Sequence, residues 1–331
     1  MIPVTFNNTE EYKFCKYNDS LIILPDDAIQ PCCNMDLFNK SLYNKIKCDK
    51  NAKSINYEII NNISQICNYH SCANYSPVDY VPQYTQIALN NWQKCVGKCV
   101  SCYNYDNDYR NERALTETEL DEFLTMIGDV YGAFIEKNKQ ALIASNSNDE
   151  LVIPVLTITG SADLFYSENY HNILKTDLTK YGIQRVKLIT NFQTFTKHNL
   201  GSIHPNTKKL IDTTMFSLDG VNKEMYEKIR NGSKWENVAR GYENMITHFP
   251  NLKVCQVNTV LSKWNIEHFK EFPTYIKDNF PAVNKLTFSF VSRWTENKIF
   301  DELLLDNNDK TEVINWVEEN KNNFDFEVNY Y

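Results

Sequence analysis

Three thiols crowd into one short stretch, KCVGKCVSCY (94–103), where Cys95, Cys99 and Cys102 stand in the spacing C-x3-C-x2-C. A tetrahedral metal ion asks for four ligands, and no fourth Cys or His follows nearby. Three chemistries compete for such a loop. A disulfide would leave one thiol over and would need an oxidising compartment. A structural zinc site would have to find its fourth ligand elsewhere. An iron–sulfur cluster held by three thiolates would keep one iron open, and a small molecule could bind that iron directly.

The elements that must position the loop can be read from the hydrophobic pattern. Strand candidates are YTQIAL (84–89), VIPVLTIT (152–159), RVKLIT (185–190), TTMFSLD (213–219), LKVCQVNTVL (252–261) and NKLTFSFV (284–291). Helix candidates alternate with them. TETELDEFLTMIGDVYGAFIEKNKQAL opens on a Thr-x-x-Glu box at Thr116 or Thr118, a helix-start signal. SENYHNILKTDLTKYG carries Ser167 as N-cap and Gly182 as stop. WENVARGYENMITHF and NIEHFKEFPTYIKD follow, the second interrupted by Pro273.

Strands alternating with helices imply parallel βαβ units. Six of them fall short of a complete eight-unit barrel of roughly 250 residues. The expected class is therefore α/β, an open partial (β/α)6 barrel. The three thiols come just after its first strand, at the end where barrel active sites are built. Upstream, SLIILPDDAIQPCC reads as two extended runs around Pro25-Asp26-Asp27, a hairpin signal. The polar tail after Trp294 holds one helix candidate, TEVINWVEEN, and a last strand candidate, FEVNYY. The expected division is a small Cys-rich hairpin domain over 1–80, the barrel over 81–295 and an extension over 296–331.

Composition narrows the partners. The chain has 331 residues, of which 42% are hydrophobic and 13% aromatic, enough to bury a sizeable core. Its net charge of −8 and lack of a long Lys/Arg cluster disfavour nucleic acid. The start, MIPVTFNNTEEYKF, lacks the basic and apolar regions of a signal peptide. The apolar run LVIPVLTI is too short to span a bilayer. A cytoplasmic, reducing setting without a membrane is expected, where 10 Cys serve as metal ligands or core residues. The six His residues form no ligand pair, and no Walker loop, nucleophile elbow or dinucleotide glycine pattern occurs.

Further stretches follow the thiol loop in a fixed order: ITGSADLF (158–165), LITNFQTFT (188–196), FSLDGVNKEMYEKIRNG (216–232) and VNTVL around Asn258. With C-x3-C-x2-C, they resemble the radical S-adenosylmethionine (radical SAM) enzymes. The first resembles the family's turn for the methionyl amino group of SAM, with Gly160 and Asp163 matching and Ala162 and Leu164 departing from Gly and Pro. An ammonium group does need a carboxylate partner. The second is similar to an Ile-Thr-Asn-Gly turn, with Asn191 matching and Phe192 in place of Gly. The third resembles a Ser-Leu-Asp-Gly strand end, from which Ser217 and Asp219 would face the mouth. Asn258 falls at a position often polar in the family. Arg230 and Arg240 are candidates for the SAM carboxylate, although surface salt bridges are the expected use of either. Ser101 stands where the family usually has a bulky residue.

The resemblance implies a radical SAM barrel. Cys95, Cys99 and Cys102 would hold a [4Fe-4S] cluster that reductively cleaves SAM to a 5′-deoxyadenosyl radical. It also implies a peptide, protein or small-molecule substrate and an electron donor such as flavodoxin or ferredoxin. Upstream, the spacing C-x11-D-x4-C from Cys15 through Asp27 to Cys32 resembles the auxiliary-cluster hairpin of SPASM/twitch domains. Cys67 and Cys72 would complete four thiolates for a second [4Fe-4S] cluster. Zinc remains the alternative there, with His70 available, and Cys33 competes with Cys32. Cys48 and Cys255 read as small core residues. Two other functions stay open: a radical SAM enzyme acting on RNA or a small metabolite, and a non-enzymatic iron–sulfur or zinc protein on a degenerate barrel.

Overall fold

A computed structural model describes residues 14–15, 20–23, 29–30, 75–76, 86–89, 94–102, 113–145, 149–158, 162–293 and 297–330. The chain divides into two compact units. The first takes residues 1–91, 115–158 and 178–186, and the second takes 92–114, 159–177 and 187–331.

In the first unit, β1 (Phe14–Cys15) pairs antiparallel with β4 (Tyr75–Ser76). β2 (Ser20–Ile23) and β3 (Ile29–Gln30) form the antiparallel hairpin that the Pro-Asp-Asp turn predicts. β2 then runs parallel to β5 (Gln86–Leu89), and β5 runs parallel to β6 (Val155–Ile158). The hairpin thus continues the sheet that carries the first barrel strand.

Between β5 and β6 lies α1 (Glu117–Ser145). Its N-terminus is closed by Thr116, not Thr118. The Glu119 carboxylate accepts from Thr116 N at 2.9 Å, and Glu119 N donates to Thr116 Oγ1 at 3.3 Å. These reciprocal bonds supply partners for amides that a helix start leaves open. The buried face of α1 carries Phe123, Leu124, Ile127, Val130, Tyr131 and Phe134, at the three- and four-residue spacing of one helix side. Tyr131 does more than fill space. Its hydroxyl donates to Pro154 O at 2.5 Å and lies 3.3 and 3.1 Å from the donating amides of Gln184 and Arg185.

In the second unit, β7 (Val186–Thr190, all but its first residue), β8 (Ile211–Ser217), β9 (Val254–Leu261), β10 (Lys285–Phe290) and β11 (Glu327–Tyr330) follow in that spatial order. β8, β9, β10 and β11 are parallel. The helices between them are α2 (Glu168–Lys175) before β7, then α3 (Lys197–Gly201), α4 (Pro205–Leu210), α5 (Lys223–Ile229), α6 (Trp235–His248) and α7 (Phe272–Asn279). α8 (Ile299–Leu303) and α9 (Asn307–Asn320) precede β11.

Strands β5 to β10 fall on the six predicted segments, and the βα alternation gives the expected α/β partial barrel. Beyond residue 296 the tail adds a further parallel strand, β11, on the edge of β10.

Two predicted helices are shorter than their sequence stretches. Ser167 caps α2 by accepting from Tyr170 N at 3.3 Å, but the helix ends at Thr176. A separate 3-10 turn, Leu178–Tyr181, follows, and Gly182 closes it at φ 73°. Pro273 splits the other stretch into a 3-10 segment, Ile266–Glu271, and α7, where it occupies the first turn. Proline lacks the N–H that a continuous helix would use there.

Replacing Tyr131 by Phe should keep the fold while leaving one buried carbonyl and two amides short of a partner. The buried Pro154 carbonyl alone costs about 1–3 kcal/mol when left unsatisfied, while water can reach the amides of exposed Gln184 and half-buried Arg185. A lowered urea midpoint with an unchanged denaturant slope is the expected outcome.

Candidate functional site

The three-cysteine loop is shaped by the second unit's own backbone. Lys98 N donates to Asn231 O at 2.7 Å, and Val100 N donates to Ile229 O at 2.9 Å. The residues flanking Cys99 are thus tied to the carbonyls flanking Arg230. Val100 anchors the same segment by packing among Met225, Ile229, Val291, Phe300 and Leu303. A tight turn, Cys102 N to Cys99 O at 3.0 Å, brings the last two thiols close in sequence onto one bend.

The receiving turn has to be unusual. Gly232 sits at φ 84°, and a Cβ there would lie 3.2 Å from Val96 O. Only glycine takes both the left-handed backbone and the close approach without strain.

At the start of the loop, Asp163 N donates to Lys94 O at 3.0 Å. Asp163 is fully buried. One of its carboxylate oxygens, Oδ1, takes the Thr194 hydroxyl and the Phe165 amide. The other, Oδ2, is buried and meets the distance and angle of a hydrogen bond with no group among the described residues, although Asn191 and the Tyr166 amide lie near enough to pull the carboxyl down. Burial pushes the Asp163 carboxyl up, against the pull of these hydrogen bonds. An orphaned carboxylate oxygen normally marks a missing donor. Asn191 lies beside it, donating to Cys95 Sγ at 3.6 Å and accepting from Gln193 N at 2.9 Å. Asp163, Asn191 and Cys95 therefore meet at one place.

The turn after β7 explains why Phe192 can stand where the resemblance puts glycine. Phe192 adopts φ 63°, which costs a non-glycine residue about 1–2 kcal/mol. Its ring is buried against Phe216, 4.5 Å between centroids, and Phe195, 5.1 Å. Gly241 of α6 leaves room for it, since a Cβ there would come within 2.6 Å of Phe192 Cβ. Burying a phenyl ring is worth more than the backbone strain: truncating one costs about 3–5 kcal/mol.

The Ser-Leu-Asp-Gly segment differs from expectation. Asp219 does not face an open mouth. Its Oδ2 accepts from Arg230 Nε at 2.7 Å and its Oδ1 from Val260 N at 2.8 Å, at 0% exposure. Arg230, expected at the surface, is only 9% exposed. The reason is topological: α5 turns back so that its C-cap lies under the strand end it follows. Arg240 bonds Asn237 on the exposed side of α6. Ser217, half-buried, lies in register with Asn258, whose Oδ1 accepts from Ser289 Oγ at 2.9 Å.

Burial and neighbouring charge act on the thiols. Burial, then Asp163 and the other two cysteines, push the Cys95 thiol up to about 12, opposed by the Gly97 amide. Burial also raises Cys99, while Arg230 opposes the rise. No group of three His, Cys, Asp or Glu among the described residues lies close enough to hold a single metal ion. Thiols that each bind a different iron need not converge on one point, whereas zinc ligands must.

Sequence reading missed three groups here. Thr194 holds Asp163. Gln193 ties Asn191 O, Tyr226 OH and Lys234 O together through Nε2. Ser233 is 2% exposed, its hydroxyl without a hydrogen-bond partner among the described residues. Gln193 and Thr194 adjoin the flagged Asn191 turn, which was the available signal.

Gly160 lies outside the described residues, as do Cys32, Cys33, Cys48, Cys67 and Cys72. Of the upstream thiols only Cys15 is described, opposite Tyr75 in β1. No helix among the described residues is long and apolar enough to cross a membrane.

No protein-family model and no curated protein matches the chain. Solved structures do. Native anSMEcpe with bound AdoMet and Kp18Cys peptide is similar at a TM-score of 0.50 and 14% identity, over 74% of this chain and 63% of that one. The fold is that of a partial radical SAM barrel. Streptococcus suis SuiB bound to precursor peptide SuiA gives a TM-score of 0.47 and 12% identity, over 74% of this chain and 48% of that one. TYW1 with a lysine-pyruvate adduct bound gives 0.43 and 15%, over 72% of each chain. This chain thus spans about half the length of SuiB and less than two-thirds of anSMEcpe. Within the barrel, the clamped thiol loop follows β5, the first strand.

Gly232→Ala should strain the receiving turn by about 1–2 kcal/mol and push it against Val96. Alkylation of the metal-free chain, mapped by peptide mass, should then label Cys99 faster than in the parent.

Proposed function

We propose that the chain is a radical SAM enzyme whose three-cysteine loop binds a [4Fe-4S] cluster through Cys95, Cys99 and Cys102. The observation that carries this reading is the buried Oδ2 of Asp163 beside Cys95, without a close hydrogen-bond partner among the described residues. A carboxylate made ready for a cation, next to a three-thiolate site with an open fourth position, suits a ligand bearing an ammonium group and a metal-binding carboxylate. SAM has both. Raised thiols suit the same account, because deprotonating them becomes favourable once a metal group takes up the negative charge.

The protein's own residues divide the remaining work. Asp163 accepts the ammonium, held in its rotamer by Thr194 and by the Phe165 amide. Asn191 positions Cys95 through its side-chain amide. Gly160, outside the described residues, is proposed from the resemblance alone to add its backbone carbonyl. Ser217 and Asn258, in register on neighbouring strands, offer polar groups to the ribose or carboxylate. Asp219 contributes through Arg230 and β9, not by direct contact. When bound, the cluster and SAM supply reductive cleavage to an organic radical that abstracts hydrogen from the substrate.

A peptide or protein is the favoured substrate class, by analogy with the peptide carried in the anSMEcpe structure. An external donor such as flavodoxin or ferredoxin would deliver the electron. Over 1–80, Cys15, Cys32, Cys67 and Cys72 are proposed to bind a second [4Fe-4S] cluster in a SPASM/twitch-like domain, ahead of the barrel at 81–295 and the extension at 296–331. A cytoplasmic location fits the thiol-rich, oxygen-sensitive chemistry.

Anaerobic reconstitution with iron and sulfide should load about eight irons per chain, four per cluster, and yield 5′-deoxyadenosine on adding SAM and reductant. Cys99→Ala should lose one cluster and all SAM cleavage; Cys67→Ala should lose only the other. A colourless zinc protein that leaves SAM intact would sink the reading.

Asp163→Asn should keep the cluster spectrum but weaken SAM binding roughly ten- to hundredfold, the worth of a charge-assisted hydrogen bond. Equilibrium binding to the reconstituted protein checks it.

A further inference from the structure

The Asp219–Arg230 pair has an arrangement that a simple fastening does not require. Arg230 makes one side-chain hydrogen bond among the described residues, from Nε to Asp219 at 2.7 Å. A guanidinium used only as a latch commonly engages a carboxylate with two parallel bonds. Here the second carboxylate oxygen is taken by Val260 N, and Asn265 donates to Asp219 O at 3.0 Å. Asp219 is thus tied to β9 through its carboxylate and to the turn after it through its main-chain oxygen, and it meets Arg230 through one hydrogen bond.

That cation is buried, and its place is set by backbone. Ile229 O and Asn231 O, on either side of Arg230, receive the amides on either side of Cys99. Arg230 acts on Cys99 as a nearby positive charge, and Asp219 acts on it with the opposite sign. Burial keeps both effects from being screened by solvent. Reduction potentials of iron–sulfur centres respond to the net charge around them and to their exposure to water.

We propose that the buried Asp219–Arg230 pair sets the reduction potential of the cluster bound by the three-cysteine loop. Arg230 stabilises the added electron, and Asp219 limits how strongly it does so. This rests on the reading that the loop binds a cluster. Both are positioning residues, acting through charge on the group that Cys99 holds. Neither needs to touch the substrate.

The test is an anaerobic redox titration of the reconstituted full chain with dithionite, followed by electron paramagnetic resonance. Iron content and visible absorption are measured in parallel. Arg230→Gln should lower the midpoint and Asp219→Asn should raise it, each changing the reduction equilibrium about tenfold, or about 59 mV for one electron. Arg230→Lys, which keeps the charge, should stay near the parent value. A purely structural pair would reduce iron loading without shifting the midpoints in opposite directions, and that result overturns the proposal. If Arg230→Gln fails to load, the sign of the Asp219→Asn shift decides alone. Failure of the parent chain to load any cluster would instead remove the underlying reading, and this proposal with it.

Discussion

Two backbone hydrogen bonds, Lys98 N to Asn231 O and Val100 N to Ile229 O, hold the thiol loop against the turn that ends α5. A loop carrying three half-buried thiols has no secondary structure of its own to fix it, so its shape must be borrowed. The lender is a turn that is itself determined by three constraints. Gly232 supplies the left-handed backbone, the Asp219–Arg230 pair fixes the turn to β9, and Val100 is buried with Met225 and Ile229 of α5. Loss of any one loosens the same segment.

A second layer of positioning comes from the turn after β7. Asn191, Phe192, Gln193 and Thr194 are consecutive, yet each faces a different task. Asn191 reaches Cys95, Phe192 anchors the turn in the aromatic core, Gln193 bridges to Tyr226 and Lys234, and Thr194 holds Asp163. A strained residue in the middle lets the side chains before and after it point into the site. The strain is tolerable because the Phe192 ring is buried among other aromatics, a stabilisation larger than the cost of its backbone.

The charges in the site oppose one another in a definite order. Burial alone would keep the thiols protonated and pull the Arg230 guanidinium down. Asp219, the Cys99 thiol and Tyr226 act against that and hold Arg230 above its usual range. Around Cys95 the balance is the reverse, since Asp163 adds negative charge to a buried thiol. The two ends of the loop therefore meet different electrostatic surroundings, one partly positive at Cys99 and one negative at Cys95.

Local pattern was enough to place the six strands, the N-cap at Ser167 and the antiparallel pairing of β2 with β3, because alternation, capping and turn residues act over a few positions. It also marked Cys95, Cys99, Cys102, Asp163 and Asn191, the residues on which the proposed chemistry rests. It failed where partners lie far apart in the chain. Asp219 and Arg230 were read as a mouth-facing acid and a surface base, and only the return of α5 under its own strand made them a buried pair. Thr194, Gln193 and Ser233 are ordinary polar residues until β7 and α5 bring them to the loop. Sequence by itself determined which residue types this protein has that are chemically able to bind a metal and a cation. Tertiary structure alone decided which of them lack partners among the described residues, because hydrogen-bond satisfaction depends on neighbours such as Thr194 for Asp163 and Asn191 for Cys95, far apart in the chain.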